Sequence, residues 1–436
     1  MISPPPDAAH PDATPPAMSP SGATVPGRRP ARSKLDVAGA VAAQFSQALG
    51  SFLLQLMVLR LLGNEGLAVF AVLFGLVVLG TAIVSGFVGD SLTVLDRTAA
   101  SVRAGLQWWL VVLSVGLGLA ATVGLGASSY LTPWQAVAFG AAGAAFIAED
   151  SFRRLLMASM RFWAIVVVDV VSLLGSAGLV AVVYWTGGDV TLTTFLEGLV
   201  LGQVLAMIAA IVMLPAEDRW WSRHSPPDRA HVLEYGKWRA LQVSVRPAML
   251  TLMRVIVVAG VGRAAYGELE SARLFVAPAM LAVNGASSYL FARFARHKDT
   301  ATPKLLRQSD IGVVVLMAVS LVLGVTAALL VPSVGAAMVG DAAELDRWSV
   351  FGWSVYAAAT AAATPYGVLA AVRGRQGATL LARVGDSVLS LTGVGVAMAI
   401  GWSEVSVPFV LGLFAFLGGI AIRQLLVADV AARRVT

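Results

Sequence analysis

Long apolar runs dominate the chain and set its most regular pattern. Each run has about 20 residues, which is the length that an α-helix needs to cross the hydrocarbon core of a bilayer. The runs begin near Val37, Leu67, Ala104, Trp134, Ala164, Thr193, Arg239, Leu269, Ile311, Ser349, Gly377 and Val405. This pattern predicts an all-α polytopic membrane protein with about twelve transmembrane helices.

Two of these runs depart from a simple spanning helix. The seventh contains Arg246, Pro247 and Arg254, and the tenth is rich in alanine and contains Pro365. Proline in a spanning helix commonly marks a kink whose freed carbonyl is satisfied by a neighbour or by water. An arginine near the middle of a bilayer costs about 2.5 kcal/mol or more. The two arginines therefore need a structural or functional reason.

Lysine and arginine are distributed unevenly between alternate loops. With the N-terminus in the cytoplasm, about 25 of the 31 basic residues fall in cytoplasmic segments. The outer helix ends carry only Arg60, Arg263, Arg273 and Arg347, and Arg246 and Arg254 remain inside the seventh helix. This distribution follows the positive-inside rule. It predicts a multi-pass protein of the cell inner (plasma) membrane with both termini in the cytoplasm.

Composition supports this class and excludes several kinds of site. The chain is 58% hydrophobic and 13% charged, with a mean hydropathy of +0.79. The net charge of +6 is explained by cytoplasmic loops, so nucleic acid is not an expected partner. There is no cysteine, and the four histidines fall outside the predicted bilayer segments. We therefore expect no thiolate or histidine metal site and no cofactor.

The charged and Pro-rich segments predict the domain boundaries. Residues 1–33 read as a disordered cytoplasmic tail, 34–214 and 239–430 as two lobes of six helices, 215–238 as a cytoplasmic linker, and 431–436 as a cytoplasmic tail. The outer loops are short, so no external domain is expected. Membrane enzymes such as polysaccharide polymerases and ligases generally carry a substantial external loop, and we do not expect an enzyme.

The two halves show a weak internal similarity. A shift of 199 residues places Gly63 on Gly262, Gly86 on Gly285, Ser85 on Asn284, Arg97 on Arg296, Gln47 on Arg246 and Gln55 on Arg254. Identity is otherwise low. The shift predicts an internal duplication, and transporters built from such repeats often hold the substrate at the interface between them.

Three segments resemble the polysaccharide and oligosaccharide-lipid flippases of the multidrug, oligosaccharidyl-lipid and polysaccharide exporter superfamily. The first, from Leu59 to Arg97, is "LRLLGNEGLAVFAVLFGLVVLGTAIVSGFVGDSLTVLDR". The family's first helix typically ends in Leu-Gly-Pro-Glu, followed by a turn and a small residue. Here Asn64 replaces the proline, and Ala68 stands where glycine is common. The others are "FRRLLMASMRF" and "GVGRAAYGELESARLFVAPAMLAVNG", which repeats the turn in the second half.

The resemblance covers most of residues 35–427 as a loose pattern of small and apolar residues. It implies a twelve-helix bundle of two lobes around a central cavity, which alternates between inward-open and outward-open states. The implied cargo is a lipid-linked oligosaccharide, whose pyrophosphate requires a hydrated, cationic cavity. The implied partners are this lipid, the membrane lipids, and glycosyltransferases or a polymerase of the same pathway.

Arg246 and Arg254 are the first candidates for substrate binding. Arginine keeps its charge when partly desolvated and binds phosphate through a planar fork of donors. The two residues are eight positions apart, about 80° around a helix and about 12 Å along it, so both can face one cavity. Arg246 has the alternative of snorkelling to the interface. Arg254 has the alternative of a buried ion pair with an acid on a neighbouring helix, for example Asp169 or Glu197.

Polar and acidic residues on other helices complete the candidate site. Glutamines on one arc of the first helix and Asn284 on the eighth can bind sugar hydroxyls, or can hold helices together. An acid inside the membrane is a candidate proton or sodium site, and the other intramembrane acids lie near basic residues, as Asp386 lies near Arg383 at i, i+3. The candidates for sugar binding are Gln44, Gln47, Gln55 and Asn284, and those for ion coupling are Asp169 and Glu197.

Three functions remain open at this stage. The first is a flippase that moves a polyprenyl-pyrophosphate-linked oligosaccharide from the inner to the outer leaflet for surface polysaccharide synthesis. The second is a cation-coupled multidrug exporter of the same superfamily, although a cationic seventh helix disfavours cationic drugs. The third is a membrane scaffold of envelope assembly that transports nothing.

Overall fold

The computed structural model describes residues 35–96, 99–219, 225–296, 302–339, 345–373 and 375–435. Side chains are described for these residues apart from positions 35–37, 93–94, 278–279, 281–296, 334, 336–339, 371–372, 376 and 432–435. The predicted tail at 1–33 lies outside the described residues, and so does the side chain of Asn284.

The described part of the chain is α-helical. The helices are α1 (Leu35–Val84), α2 (Ser91–Val94), α3 (Ala100–Ala127), α4 (Pro133–Ala158), α5 (Phe162–Trp185), α6 (Leu192–Met213), α7 (Ala216–Arg219), α8 (Arg229–Arg296), α9 (Thr302–Val339), α10 (Arg347–Val372), α11 (Gln376–Ala399) and α12 (Ser406–Val435). A π-helical turn, Ser85–Gly89, follows α1. α8 begins at Arg229, so its first turns lie within the predicted linker 215–238.

α1 and α8 each contain two helices that meet at a glycine. Gly63 has φ 69° and ψ −169°, and Gly262 has φ 90° and ψ 174°. This backbone region is open essentially only to glycine. With these two helices divided, the described residues contain twelve long helices. The predicted fold class and the predicted turn in each half are confirmed.

Eight helices among the described residues are long and apolar enough to cross a membrane. In this set of eight, α1 and α8 each count as one helix although each contains a turn, and α4 and α10 are absent from the set. α4 carries Glu149, Asp150 and Arg153, all of which are buried. α10 packs against α8, α9 and α12, so protein covers much of its surface. Both helices have the length to span the membrane, but they face the protein interior more than lipid.

The two lobes have the same helix plan. We call α1 to α6 the N-lobe and α8 to α12 the C-lobe. The glycine turns of the lobes are 199 residues apart, as the sequence shift predicts. From α4 onward the shift grows to 214, because α4, α5 and α6 begin at 133, 162 and 192, whereas α10, α11 and α12 begin at 347, 376 and 406. The extra 15 positions lie in the region of α9 and the segment after it.

An apolar core joins the lobes along α1 and α8. Ala68 and Val72 of α1 lie in one cluster with Met253 of α8 and with Trp353 of α10, whose indole is fully buried. α1 and α8 also form the most extensive helix contact between the lobes. The second half of α1 therefore packs on both lobes, because Ala68 and Val72 contact the C-lobe while Val69 and Leu73 pack on α4 of the N-lobe. This arrangement leaves a cavity inside each lobe.

Candidate functional site

The cavity of the N-lobe is small and acidic. It has a volume of about 50 Å³ and lies between α1, α4, α5 and α6. Gln47, Glu149, Asp169 and Gln203 are among its lining residues. Glu149 is only 5% exposed, and its Oε1 and the Oε1 of Gln203 have no hydrogen-bond partner within the described residues. Two buried acceptor oxygens thus border a cavity of the size of a few waters or a small cation.

Asp169 has a basic partner, in contrast to Glu149. Arg153 Nε donates to Asp169 Oδ1 at 2.9 Å, and the Ser46 hydroxyl donates to Oδ2. Arg153 also donates to the carbonyl of Ala43 at 2.8 Å. The carboxylate of Asp169 is therefore held by an ion pair at the wall of the cavity. Glu149 lies four positions before Arg153 on α4 but forms no ion pair with it in the described structure, and it is the less satisfied of the two acids.

The cavity of the C-lobe is larger and cationic. It has a volume of about 540 Å³ and lies between α8, α10, α11 and α12. Its charged lining residues are Arg239, Arg246, Arg383 and Asp386. Arg246 donates to the Tyr356 hydroxyl at 2.9 Å and lies over the ring of this residue, 5.7 Å from its centroid. Three guanidinium groups thus face one carboxylate.

Arg383 and Asp386 are not ion-paired as their spacing predicted. No salt bridge within 4.0 Å joins them in the described structure, although they are near enough to interact electrostatically. The Asp386 carboxylate accepts from the Ser387 hydroxyl at 3.2 Å and lies against Gly418 of α12. Arg383 lies against Gly367 of α10. The small residues of α10 and α12 give room for both side chains to turn into the cavity.

The two cavities occupy equivalent positions in the two lobes. The shift of 199 relates Gln47 to Arg246, and the shift of 214 relates Asp169 to Arg383. The same shift of 214 relates Ser172, Leu173 and Ser176 to Asp386, Ser387 and Ser390, and all of these residues line a cavity. The two linings differ in the sign of their net charge, because two acids line the N-lobe cavity, whereas three arginines and one acid line the C-lobe cavity. At the equivalent positions 169 and 383, the N-lobe has an aspartate and the C-lobe an arginine.

Arg254 lies away from both cavities. Its Nη2 is 4.0 Å from Glu270 Oε1, and its Nη1 lies where a Cβ on Gly75 would fall. Its side chain is 11% exposed, and its Nε has no hydrogen-bond partner among the described residues. Arg246 and Arg254 therefore do not line one cavity, which corrects the expectation from helical spacing. The ion pair is made with Glu270, and not with Asp169 or Glu197.

Glu270 and its partners join the lobes near the glycine turns. Glu270 is fully buried and accepts from Arg273 Nε at 2.8 Å and from the Tyr266 hydroxyl at 3.1 Å. Arg273 also donates to Gln55 Oε1 of α1 at 3.0 Å. Gln55 is thus held at the lobe interface, and it is separated from Gln47, which lines the N-lobe cavity.

Two other candidates lie apart from the cavities. Gln44 is exposed on α1 and is not among the residues that line the N-lobe cavity. Glu197 Oε1 accepts from the indole of Trp134 at 2.9 Å, near the start of α6 and close to the α3–α4 loop. Of the candidates predicted from the sequence, the structure therefore brings together Gln47 and Asp169 in the N-lobe cavity and places only Arg246 in the C-lobe cavity. The other described candidates lie outside both cavities.

A chain of alternating charges runs between the lobes at the end that carries the α1–α3 connection. Arg239 of α8 donates to Asp90, which follows the π-helical turn. Arg154 lies 3.7 Å from Asp90 and 2.9 Å from Asp150, and Arg153 lies 4.0 Å from Asp150. The ion pair of Arg153 and Asp169 continues the chain to the N-lobe cavity. Within the described residues, no group of three or more histidines and acids could hold a metal ion.

No family model matches this sequence, and no curated protein matches it. Solved structures do match. An inward-facing structure of a multidrug resistance MATE family transporter of the MOP superfamily has a TM-score of 0.67 at 13% identity, over 91% of this chain and 99% of the other. An outward-facing structure with the same description has a TM-score of 0.59 at 13% identity, over 92% of this chain and 97% of the other.

A third similar structure is a MOP superfamily transporter from Pyrococcus furiosus, described as having a binding pocket of reverse polarity that suggests a different function. Its TM-score is 0.60 at 13% identity, over 91% of this chain and 96% of the other. At this level of identity the likeness shows the fold alone. The chain has the two-lobed fold of MATE transporters of the MOP superfamily, a fold that is known in inward-facing and outward-facing states.

Proposed function

We propose that this protein is a flippase that moves a polyprenyl-pyrophosphate-linked oligosaccharide from the inner to the outer leaflet by alternating access. The observation that carries the proposal is the C-lobe cavity, in which Arg239, Arg246 and Arg383 face a single acid. Guanidinium groups bind phosphate oxygens through paired, charge-assisted hydrogen bonds. The volume of about 540 Å³ is in the range of small-ligand pockets, enough for a pyrophosphate with its first sugar.

The surroundings of the arginines favour an anionic ligand. Tyr356 holds the Arg246 guanidinium from one side, so the group is partly oriented before a ligand arrives. Arg383 has no hydrogen-bond or ion-pair partner among the described residues, and its donors are free for a ligand. An excess of positive charge in a partly desolvated cavity is costly, and a bound phosphate relieves this cost.

The small N-lobe cavity supports coupling to a cation. Glu149 offers a carboxylate oxygen without a partner, and Asp169, Gln47 and Gln203 add further oxygen atoms. We infer that a proton or a sodium ion is taken up there, with Glu149 more suited to the role than Asp169. Glu197, which bonds to Trp134 away from the cavity, is less suited.

The exporter and scaffold alternatives differ in what the cavities would bind. A cation-coupled exporter of cationic drugs needs an acidic or aromatic cavity for its cargo, and the C-lobe cavity is basic. A scaffold needs no ligand in either cavity. The flippase reading also implies the plasma membrane as location, cytoplasmic termini, and glycosyltransferases or a polymerase of the same pathway as partners.

Binding of farnesyl pyrophosphate to the purified protein in detergent tests the proposal. We expect saturable binding, reduced about tenfold or more by Arg383→Gln or Arg246→Gln, since one charge-assisted hydrogen bond contributes about 1.5–3 kcal/mol. Arg375→Gln is the matched control, because Arg375 pairs with Asp429 at an exposed site outside the cavity. In cells, loss of the protein should leave lipid-linked sugar on the cytoplasmic leaflet.

Three results would contradict the flippase. Equal affinity for farnesyl pyrophosphate in wild type and in Arg383→Gln would show that the C-lobe cavity does not bind the pyrophosphate. Binding of a cationic dye in place of the pyrophosphate would favour the exporter. Normal surface glycan without accumulated lipid-linked sugar, in cells that lack the protein, would favour the scaffold.

A further inference from the structure

Arg239 takes part both in the C-lobe cavity and in the contact between the lobes. Its side chain lines the C-lobe cavity together with Arg246 and Arg383. Its Nε also donates to Oδ2 of Asp90, which belongs to the N-lobe. Arg239 thus joins the cationic cavity to the interface between the lobes.

The ion pair lies beside a close approach of the two backbones. A Cβ on Gly86 would lie 2.7 Å from the Cα of Ala240, and one on Gly236 would lie 2.7 Å from the carbonyl oxygen of Phe87. The backbones of the two lobes therefore approach each other closely on both sides of Arg239. Separation of the lobes here has to break the ion pair, and loss of the ion pair removes an attraction that holds this contact.

We propose that the anion of the substrate and the carboxylate of Asp90 compete for Arg239. This inference rests on the proposed function, because it requires an anion in the C-lobe cavity. The Asp90 side chain is 25% exposed and the Arg239 side chain 42%, so the ion pair is solvated and of modest strength. A pyrophosphate with more than one charge, already bound to Arg246 and Arg383, is placed to displace a single carboxylate.

The displacement has a defined consequence on the N-lobe side. Asp90 also lies 3.7 Å from Arg154, and Arg154 is bonded to Asp150 at 2.9 Å. When Arg239 leaves Asp90, the attraction of the Asp90 carboxylate for Arg154 is no longer shared with Arg239. Asp90 then competes more strongly for Arg154 with Asp150, which also accepts from the Ser85 hydroxyl at 2.6 Å. Asp150 is next in sequence to Glu149 of the N-lobe cavity. An anion bound in one lobe thus alters the charges around the acids of the other, which is the requirement for coupled binding.

Two substitutions that remove the same ion pair separate competition from simple stabilisation. We expect Asp90→Asn to bind farnesyl pyrophosphate about fivefold more tightly than wild type, because the competing carboxylate is gone. Arg239→Gln breaks the ion pair as well, but we expect weaker binding, since it removes a donor from the cavity. Asp429→Asn breaks the exposed pair with Arg375 and should leave the affinity unchanged.

Spin labels report the accompanying movement. The chain has no cysteine, so Met160→Cys and Leu381→Cys, both at exposed positions near helix ends in different lobes, place two labels without competing sites. In pulsed electron paramagnetic resonance, farnesyl pyrophosphate should shift the distance distribution in the otherwise unchanged protein. Asp90→Asn should give part of this shift without ligand.

The outcomes distinguish this inference from the proposed function. Absence of farnesyl pyrophosphate binding to wild type would overturn the flippase proposal and the competition together. Binding to wild type with equal or lower affinity in a folded Asp90→Asn protein would overturn the competition alone. A cooperative thermal unfolding transition establishes that each variant is folded, and Asp90→Ser, which also removes the competing carboxylate, takes the place of Asp90→Asn if the latter fails to fold.

Discussion

Replacement of Glu270 by glutamine tests the buried network that holds Arg254. The Glu270 carboxylate is fully buried and accepts from Arg273 at 2.8 Å and from Tyr266 at 3.1 Å, and Arg254 lies 4.0 Å away. Glutamine has nearly the same shape but no charge. The substitution therefore removes the negative charge and leaves two guanidinium groups in the same interior site.

The expected cost follows from the burial of the carboxylate. Removal of one partner of a buried ion pair costs about 3–5 kcal/mol, mainly because the other charge is left uncompensated. For a chain of 436 residues, an unfolding entropy of about 2.1 cal/mol/K per residue converts each kcal/mol into about 1 °C of melting temperature. We expect Glu270→Gln to lower the melting temperature by about 3–5 °C.

Tryptophan fluorescence during heating in detergent measures the effect, since the chain contains 11 tryptophans. Asp429→Asn is the control, because it breaks an exposed ion pair and should leave the melting temperature unchanged. The double variant Glu270→Gln, Arg273→Gln should cost less than the sum of its single variants, because the two residues are in contact. A melting temperature of Glu270→Gln equal to that of Asp429→Asn would refute the argument.

Two further predictions concern the turns and the N-lobe cavity. Gly63→Ala and Gly262→Ala should each destabilise the protein by about 1–3 kcal/mol, because their backbone conformations exclude a Cβ. Gly116→Ala is the control, since Gly116 is a helical glycine with open space around it. Equal melting temperatures in all three variants would contradict this account. Glu149→Gln should leave the melting temperature unchanged or higher but abolish the dependence of transport on a cation gradient in proteoliposomes. Retained cation dependence in this variant would remove Glu149 from the coupling site.

The fold was accessible from the sequence because its signals are local and repeated. Apolar runs of spanning length predict helices without knowledge of their partners. Gly63 and Gly262 indicate the two turns, because a backbone with positive φ strongly favours glycine at that position. The shift of 199 residues between these glycines was visible for the same reason, since one residue type is required at one position in each half.

The environment of Arg254 was not accessible in this way. Its partner Glu270 is only 16 positions away, but the chain reverses between them at Gly262. A helical wheel of the seventh helix relates Arg246 to Arg254, but it does not show which residues of the eighth helix face them across the turn. The eighth helix was also expected to begin near Leu269, whereas it continues directly from the turn, so Glu270 was not recognised as an intramembrane acid.

The C-lobe cavity was missed because the spacing between the halves changes. The shift of 199 holds for the first helix pair of each lobe, but the shift of 214 applies to the last three helices. Only the second shift relates Asp169 to Arg383 and Ser172 to Asp386. Without it, the i, i+3 spacing of Arg383 and Asp386 indicated a local ion pair, which satisfies both charges and suggests no ligand.

The sign of the charge, and not the position of the cavity, separates the two lobes. The duplicated helix plan gives each lobe a cavity between its first long helix and its last three, which are α1 and α4 to α6 in the N-lobe and α8 and α10 to α12 in the C-lobe. Gln47 and Asp169 of the N-lobe correspond to Arg246 and Arg383 of the C-lobe. A site lined by carboxylate and amide oxygens suits a cation, whereas a site lined by guanidinium groups suits an anion. In the proposed mechanism, a coupling cation and the substrate pyrophosphate therefore occupy equivalent places in opposite lobes. Charges of opposite sign on the two ligands allow one chain of alternating ion pairs, from Asp169 to Arg239, to respond to both.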